Sequence, residues 1–257
     1  MKKILLWSLV GVLVLGLVAV VVISSSLGGI VTAGVNSFGP KLTQTDVKLA
    51  GASISPLSGS GTLTGLYVGN PSGWKNDKAF FLKSIHVSVV PSSIMGDHII
   101  INELIIDDPE FDYETKLPDV TTNNVSQLLA NIEQFAGSGS KTPAAKGGQP
   151  VKIEVKKFRL TNAKVSVGVG GMKPVTVPMP DISMDNLGSD QGGITPDQLV
   201  GAVMKKVTAG IITAGKDVVV KAGTAVVDGA KDAVKGAADA AKNAVGGIKD
   251  LFGGSKK

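Results

Sequence analysis

A spacing of two between apolar residues runs from Lys41 to about Gly192 and constrains the fold more than any other feature. Segments 79–90 (AFFLKSIHVSVV) and 98–107 (HIIINELIID) are typical of β-strands, and the second is apolar on both faces. Gly, Pro and Asn separate further segments of this kind. The pattern predicts a mainly β protein with roughly eight to ten strands in an extended antiparallel sheet.

Strict alternation also assigns the side chains of segment 79–90 to the two faces of its strand. One predicted face carries Phe81, Ile85, Val87 and Val89, and the other carries Phe80, Leu82, His86 and Val90.

Two stretches follow a helical period instead. Segment 121–137 (TTNNVSQLLANIEQFAG) has apolar residues at helical spacing behind an Asn/Ser cap, which predicts one short helix inserted in the sheet. A Gly/Ser-rich segment at 137–150 is predicted to be a flexible loop. The second helical stretch is a tail at 194–252, where Thr195 is the expected N-cap and Pro196 the first helical residue.

The tail is predicted to be an amphipathic helix with a stripe composed mainly of Ala. That stripe runs from Val226 to Leu251, opposite Asp and Lys residues. Such small side chains favour close approach to another helix or to the sheet over insertion into lipid. Because each Gly weakens a helix by up to about 1 kcal/mol, the repeated glycines predict a segmented or conditional helix.

Segment 4–23 contains no charged residue. Its length at about 1.5 Å per residue matches a hydrocarbon core of about 30 Å, so it is predicted to be an uncleaved transmembrane anchor. Lys2 and Lys3 precede it and no charge follows until Lys41, which predicts a cytoplasmic tip (1–3), a linker (24–40) and a β domain (41–192) across the membrane. The predicted anchor residues include Ile4, Leu5, Leu6, Trp7, Leu13, Leu15, Leu17 and Val22. The alternative is a signal peptide cleaved near residues 31–33.

The composition excludes several classes of function. With no Cys and only His86 and His98, the chain of 257 residues has no disulfide or Cys-based metal site and few candidate general bases. Its net charge of +5 resides at the two ends of the chain. A single Arg and few aromatic residues argue against nucleic-acid binding, which needs a basic patch with stacking aromatics. The acidic run 107–114 (DDPEFDYE) is interpreted as a solvated strand face. We therefore predict a non-enzymatic protein with no catalytic residue, no cofactor and no metal.

An ordered set of motifs carries a family resemblance. SISPLSG (53–59) is followed by LTGLYVGNP (63–71), a strand, and IIINELIIDDPE (99–110), with KFRLTNAKVSV (157–167) farther on. Together with the N-terminal anchor, this order resembles the AsmA family of bacterial envelope proteins over roughly residues 1–195.

The resemblance implies a bacterial inner-membrane protein, with its N-terminus in the cytoplasm and most of its chain in the periplasm. It implies a curved sheet whose apolar groove holds phospholipid acyl chains, and a role in lipid transport or outer-membrane biogenesis. The implied partners are membrane lipids and an envelope protein that binds the helical tail, with no nucleic acid. Plausible groove-lining residues are Val87, Val89, Ile99, Ile101, Ile105, Val165 and Val167.

A second resemblance suggests a protein of another class. Asn70 and Pro71 resemble the NP turn of the LEA-type WHy domain, which is a β-sandwich. In that case the sheet would be a closed core, and the protein would be a structural, interaction or stress-protective protein whose tail binds a partner.

Overall fold

Nine β-strands pair into one sheet in the computed structural model, which describes residues 26–94, 96–117, 119, 121–137 and 150–252. The strands are β1 (Val47–Ile54), β2 (Ser60–Gly69), β3 (Lys78–Val89), β4 (His98–Asp107), β5 (Glu110–Thr115), β6 (Lys152–Thr161), β7 (Lys164–Val169), β8 (Val175–Pro178) and β9 (Ile182–Leu187). The helices are α1 (26–43), α2 (Asn124–Gly137) and α3 (Pro196–Phe252). The mainly β architecture is confirmed, and the sheet curls into a half-barrel.

Three pairs of strands, β4 with β5, β6 with β7 and β9 with β8, each form one long strand with an interruption. The three interruptions lie side by side across the sheet. β3 pairs with β4 through Ile85 and Ile106 and with β5 through Phe80 and Phe111, in one continuous antiparallel register. β6 and β7 continue each other beside β4 and β5, and β9 and β8 do so beside β6 and β7. Counted as long strands, the sheet therefore follows chain order: β1, β2, β3, β4–β5, β6–β7 and β8–β9.

The sheet is mixed, so the prediction of a purely antiparallel sheet is wrong. β6 runs parallel to β4, and β7 runs parallel to β5. Parallel neighbours need a crossover of about a dozen residues or more, commonly through a helix. The chain makes this crossover between the end of β5 and the start of β6, and the predicted inserted helix, now confirmed as α2, lies within it.

A row of irregular positions crosses the sheet where the long strands are interrupted. Gly65, Asp108 and Asn162 have positive φ angles of 65°, 51° and 56°. Such left-handed residues kink a strand, so side chains on the two sides of the kink no longer alternate in phase. The strand register places this row at Ala50, Gly65, Lys83, Asp108, Asn162 and Pro180.

The kinked row explains why the predicted faces of segment 79–90 are wrong. Phe80, Leu82 and Ile85 all line the same apolar cavity under the sheet, although strict alternation separates Ile85 from the other two. Since Lys83 lies in the kinked row, the alternation shifts by one residue there. The apolar residues before and after the kink therefore share the concave face.

Hydrogen bonds hold the row together at its centre. The Asn162 side-chain amide donates to Asp107 Oδ1 at 2.7 Å, and the Thr161 hydroxyl donates to the same oxygen at 2.9 Å. These two bonds lower the pKa of the Asp107 carboxyl. Lys164 Nζ lies 2.6 Å from Asp108 Oδ1. The first residues of the acidic run thus bind polar groups of the neighbouring long strand.

Gly65→Ala is expected to lower the free energy of unfolding by about 1–2 kcal/mol, because a side chain is disfavoured at positive φ. The new Cβ would also lie only 3.0 Å from the Ala50 Cβ. Gly51→Ala on β1 is the matched control, since a Cβ there meets no atom within 4 Å and its φ is not positive. Urea unfolding of the two variants measures the difference, and equal stabilities would contradict the role given to Gly65.

α1 covers the open edge of β1, so the segment predicted as a linker (24–40) is mostly helical. Asn36 Oδ1 accepts the Leu49 N–H at 2.6 Å, and its Nδ2 donates to the Leu49 carbonyl at 3.3 Å. Gly28 and Gly39 allow close approach: a Cβ at Gly28 would overlap the Ala52 carbonyl, and one at Gly39 would lie 2.6 Å from Val47 Cγ1. The helix forms because its apolar residues pack against the sheet.

α3 begins at Pro196, as predicted. The Thr195 N–H donates to Gln198 Oε1 at 3.0 Å, and the Thr195 carbonyl accepts the Leu199 N–H at 2.9 Å. The Thr195 hydroxyl makes no hydrogen bond, so the predicted N-cap is confirmed in position but does not cap the helix through its side chain. The helix continues to Phe252 without a break, so the prediction of separate segments is wrong. Each glycine costs about 1 kcal/mol, which neighbouring residues with higher helix propensity offset. The chain divides into two compact units between Gly215 and Lys216, and the first part of α3 belongs to the unit that contains the sheet.

Several predicted features lie outside the described residues. These are the tip 1–3, the anchor 4–23 and positions 138–149 of the predicted loop, together with the side chains of the Ala-rich stripe. Among the described helices, none is long and apolar enough to cross a membrane. The anchor therefore stays a prediction.

Candidate functional site

The concave side of the sheet is covered by three helices, which leave an apolar cavity of about 470 Å³ between them and the strands. α1, α2 and the start of α3 form its helical walls, and β1, β2, β3 and β6 form the remainder. Its helical lining residues are Val31, Gly34, Val35, Phe38, Gly39, Leu42, Thr43, Leu128, Ile132, Pro196, Val200 and Met204, and its strand residues are Val47, Leu66, Val68, Phe80 and Ile153.

A second apolar cavity of about 210 Å³ lies beside the first, between α3 and the middle of the sheet. Leu66, Phe80, Val200 and Met204 line both cavities. The two cavities therefore share a wall. A ligand longer than one cavity could therefore extend into the other.

The first part of α3 is fixed against the sheet by buried apolar side chains. Val207 is 2% exposed and Ile211 is 0% exposed. Farther along, a Cβ at Gly210 would touch Met179, and one at Gly215 would lie 3.4 Å from Tyr113 and from Val167. The helix thus crosses the concave face, passing Met179 just before β9 and reaching Tyr113 of β5 and Val167 of β7.

α1 is fixed against α2 by contacts at the ends of both helices. The Phe38 and Phe135 rings meet edge to face with centroids 5.4 Å apart. The Asn131 side chain donates to the Thr43 carbonyl at 2.9 Å. These contacts hold the two helical walls of the larger cavity together.

A buried polar network anchors the beginning of α2. Asn124 is 0% exposed, and its amide donates to Asn70 Oδ1 and to the Asp112 carbonyl, each at 2.7 Å. Its Oδ1 accepts the Glu114 N–H at 2.8 Å. The Glu114 carboxylate in turn accepts the backbone N–H of Lys75 at 2.9 Å, so the loop that follows the Asn70–Pro71 turn is tied to α2. Burial raises the pKa of the Asp112 carboxyl beside this network.

The lining of the larger cavity suits a hydrocarbon and no polar ligand. Its one hydroxyl, from Thr43, donates to the Gly39 carbonyl at 3.0 Å. Such a lining favours an apolar ligand, because a bound water needs two to four polar partners. In the described part of the chain, His, Asp and Glu form no group of three that could hold a metal ion. The chemistry available at the site is apolar binding.

The residues predicted to line a groove are divided among several places. Val165 and Val167 are 0% and 1% exposed, and Val89 pairs with Ile101. Ile99 pairs with Ile153, which lines the larger cavity. Val87 and Ile105 border a polar depression of about 340 Å³, with His86 and Glu103. None of the seven predicted residues lines the two apolar cavities, and their contact with lipid stays a prediction.

The cavity-lining residues that the sequence analysis missed come mainly from the three helices. In α1 the signal was present: Val31, Val35, Phe38 and Leu42 recur at helical spacing. In α3 the signal was Val200, Met204 and Val207 on one helical face. No sequence pattern could indicate that these faces meet over the sheet.

No protein-family model matches the chain, and the searches of curated proteins and of solved structures found no match either.

Proposed function

We propose that this protein is a non-enzymatic, single-pass membrane protein of the bacterial envelope that binds lipid acyl chains under its curled sheet. It is anchored in the inner membrane by segment 4–23, with the sheet in the periplasm, and it assists lipid transfer or outer-membrane assembly. The observation that carries the proposal is the apolar cavity of about 470 Å³ lined by α1, α2, α3 and the sheet.

The size and lining of the cavity support an acyl chain as the ligand. Pockets for small ligands have volumes of about 300–1,000 Å³, and an acyl chain requires no polar partner along its length. The smaller cavity beyond Phe80 and Met204 would take the end of a longer chain. This is a half-open pocket for a single chain beneath three helices, whereas the AsmA resemblance implies a groove formed by the sheet alone.

Membership of the AsmA family is part of the same proposal. Two of the motifs behind the resemblance have defined structural roles: Gly65 of LTGLYVGNP and Asp108 of IIINELIIDDPE both lie in the kinked row. Kinks that bend strands around a concave face are what a curved lipid-binding sheet requires. The short sheet favours transfer to a partner protein over a continuous path between two membranes.

A photoreactive lipid tests acyl-chain binding at this site. The full chain is reconstituted with phosphatidylethanolamine that carries a diazirine in one acyl chain, irradiated, and digested for peptide mass spectrometry. Val200→Phe is expected to reduce crosslinking to peptides of the cavity several-fold, because Val200 lines both cavities. Val220→Phe is the matched control, since Val220 lies in the same helix and is 54% exposed.

Crosslinks to the anchor peptides serve as the internal standard, because the predicted anchor meets lipid in every variant. Equal crosslinking of cavity peptides in wild type and Val200→Phe would contradict acyl-chain binding in the cavity. Crosslinks confined to the anchor would do so as well.

A structural or LEA-like protein is the second candidate. The observation that favours it is the cover formed by α3 over the concave face, where Met204, Val207 and Ile211 are buried as in an ordinary core. In that case the two cavities are packing defects. The second candidate predicts no cavity crosslinks and no effect of Val200→Phe on them.

A further inference from the structure

At one end of the sheet, the side formed by β1, β2, β3 and the beginning of α1 lacks charged residues. The sequence has no Asp, Glu, Lys or Arg at 24–40, 49–74 or 84–96. The β1–β2 hairpin tip and the β3–β4 turn belong to these segments, and antiparallel pairing of β1, β2 and β3 brings the tip and the turn to the same end. The beginning of α1 lies there too, because Gly28 abuts Ala52 near the end of β1.

Two large apolar side chains project into solvent at this end. Leu57, at the hairpin tip, is 73% exposed, and Ile30 in α1 is 67% exposed. The tip itself is well formed: the Gly59 N–H donates to the Ser55 carbonyl, and the Ser55 N–H donates to the Ser60 carbonyl, both at 2.8 Å. Leu57 is therefore held outward on a closed turn, and no described residue covers it.

Covalent geometry places this end close to the predicted anchor. Ile23 and Ser26 are three residues apart, so their Cα atoms are separated by at most about 11 Å whatever the conformation between them. Residue 26 begins α1, and Gly28 contacts β1 two residues later. The charge-free side of this end is thus the part of the sheet nearest to the point where segment 4–23 ends.

We propose that the β1–β2 tip rests on the lipid bilayer, with Leu57 and Ile30 inserted into its interface. An apolar side chain gains free energy there, whereas a charge would be desolvated at a cost. Charged residues on the β4, β6 and β9 side of the same end limit the contact to the tip and α1. They are Asp97, Lys152, Asp190 and Glu103, and Glu103 borders a depression beside Ser55 and Ser60. The opposite end carries Lys75, Lys116 and Lys173 in its loops and faces away from this membrane. This inference rests on the anchoring in the proposed function and is separate from acyl-chain binding.

Environment-sensitive probes at single cysteines test the contact, because the chain has no Cys of its own. Leu57→Cys and Ile30→Cys are labelled with the fluorophore NBD in the full chain and reconstituted into vesicles of phosphatidylethanolamine and phosphatidylglycerol. Val175→Cys is the control, since Val175 is 48% exposed and lies at the opposite end of the sheet. Circular dichroism confirms that the three variants share the wild-type fold.

Probes at residues 57 and 30 are expected to show blue-shifted emission, quenching by spin-labelled lipid and protection from aqueous iodide. The probe at residue 175 is expected to show the reverse. Quenching of residue 57 by iodide as strongly as residue 175 would overturn the bilayer contact, and so would protection from both quenchers, which would indicate a protein partner or a second copy. Failure of the chain to float with the vesicles would overturn the anchor as well, whereas flotation with a water-exposed tip would overturn only the present inference.

Discussion

Ile211→Ala is expected to lower the free energy of unfolding by about 2–5 kcal/mol, the usual cost of removing a large aliphatic side chain from a core. Ile211 is 0% exposed and lies in the part of α3 that covers the concave face of the sheet. Its loss would remove buried apolar contact and leave a cavity next to the two that already exist. The two cavities already leave the space between α3 and the sheet incompletely filled. Few other contacts are therefore available to hold α3 once those of Ile211 are removed.

Ile212→Ala is the matched control for this experiment. Ile212 is the next residue of the same helix and has the same side chain, but it is 38% exposed. Both substitutions improve helix propensity equally, so the difference between them reports packing alone. Urea unfolding of the full chain in mild detergent, followed by tryptophan fluorescence, gives the two free energies. Equal values would show that α3 does not dock on the sheet.

Asn124→Ala is expected to cost about 3 kcal/mol or more. The substitution leaves the buried Glu114 N–H and the half-buried Asn70 side-chain oxygen and Asp112 carbonyl without the partner that Asn124 supplies. Each buried polar group without a partner costs about 1–3 kcal/mol. The loss should also free the loop after Asn70 from the start of α2, so proteolysis in this loop should accelerate.

Asn131→Ala provides a graded comparison within the same helix. Asn131 is half-buried and its side chain makes one hydrogen bond, to the Thr43 carbonyl. Its removal is expected to cost about 1 kcal/mol. Thermal unfolding of both variants, with limited proteolysis of the loop at 70–77, measures the difference. A cost at Asn124 no larger than at Asn131 would mean that the network does not hold α2 in place.

The candidate site itself could be read from the sequence only in part. The helical spacing of Val31, Val35, Phe38 and Leu42 indicates α1. The segment around them has no charged residue to mark a solvent-facing side, so the same stretch was also compatible with a linker. The groove-lining prediction depended on strict alternation, which the kinks at Asp108 and Asn162 disturb. Asn and Asp adopt positive φ in turns and in kinked strands alike, so their presence does not reveal which of the two occurs.

The sequence by itself determined the features that depend on near neighbours. The spacing of two specified the β class, Thr195 and Pro196 marked the beginning of α3, and the apolar spacing behind Asn123 specified α2. These features follow from local backbone preference and from the burial of one face, which a few adjacent residues suffice to encode.

Only the tertiary structure decided the parallel pairing of β4 with β6, the common level of the kinks and the assembly of the cavity. The cavity joins Val31, Leu128 and Met204, which belong to three different helices far apart in the chain. Their meeting depends on the register of the whole sheet and on how its curvature accepts each helix. No local pattern encodes that outcome, because the free energy of packing depends on surfaces that become neighbours only when the chain has folded.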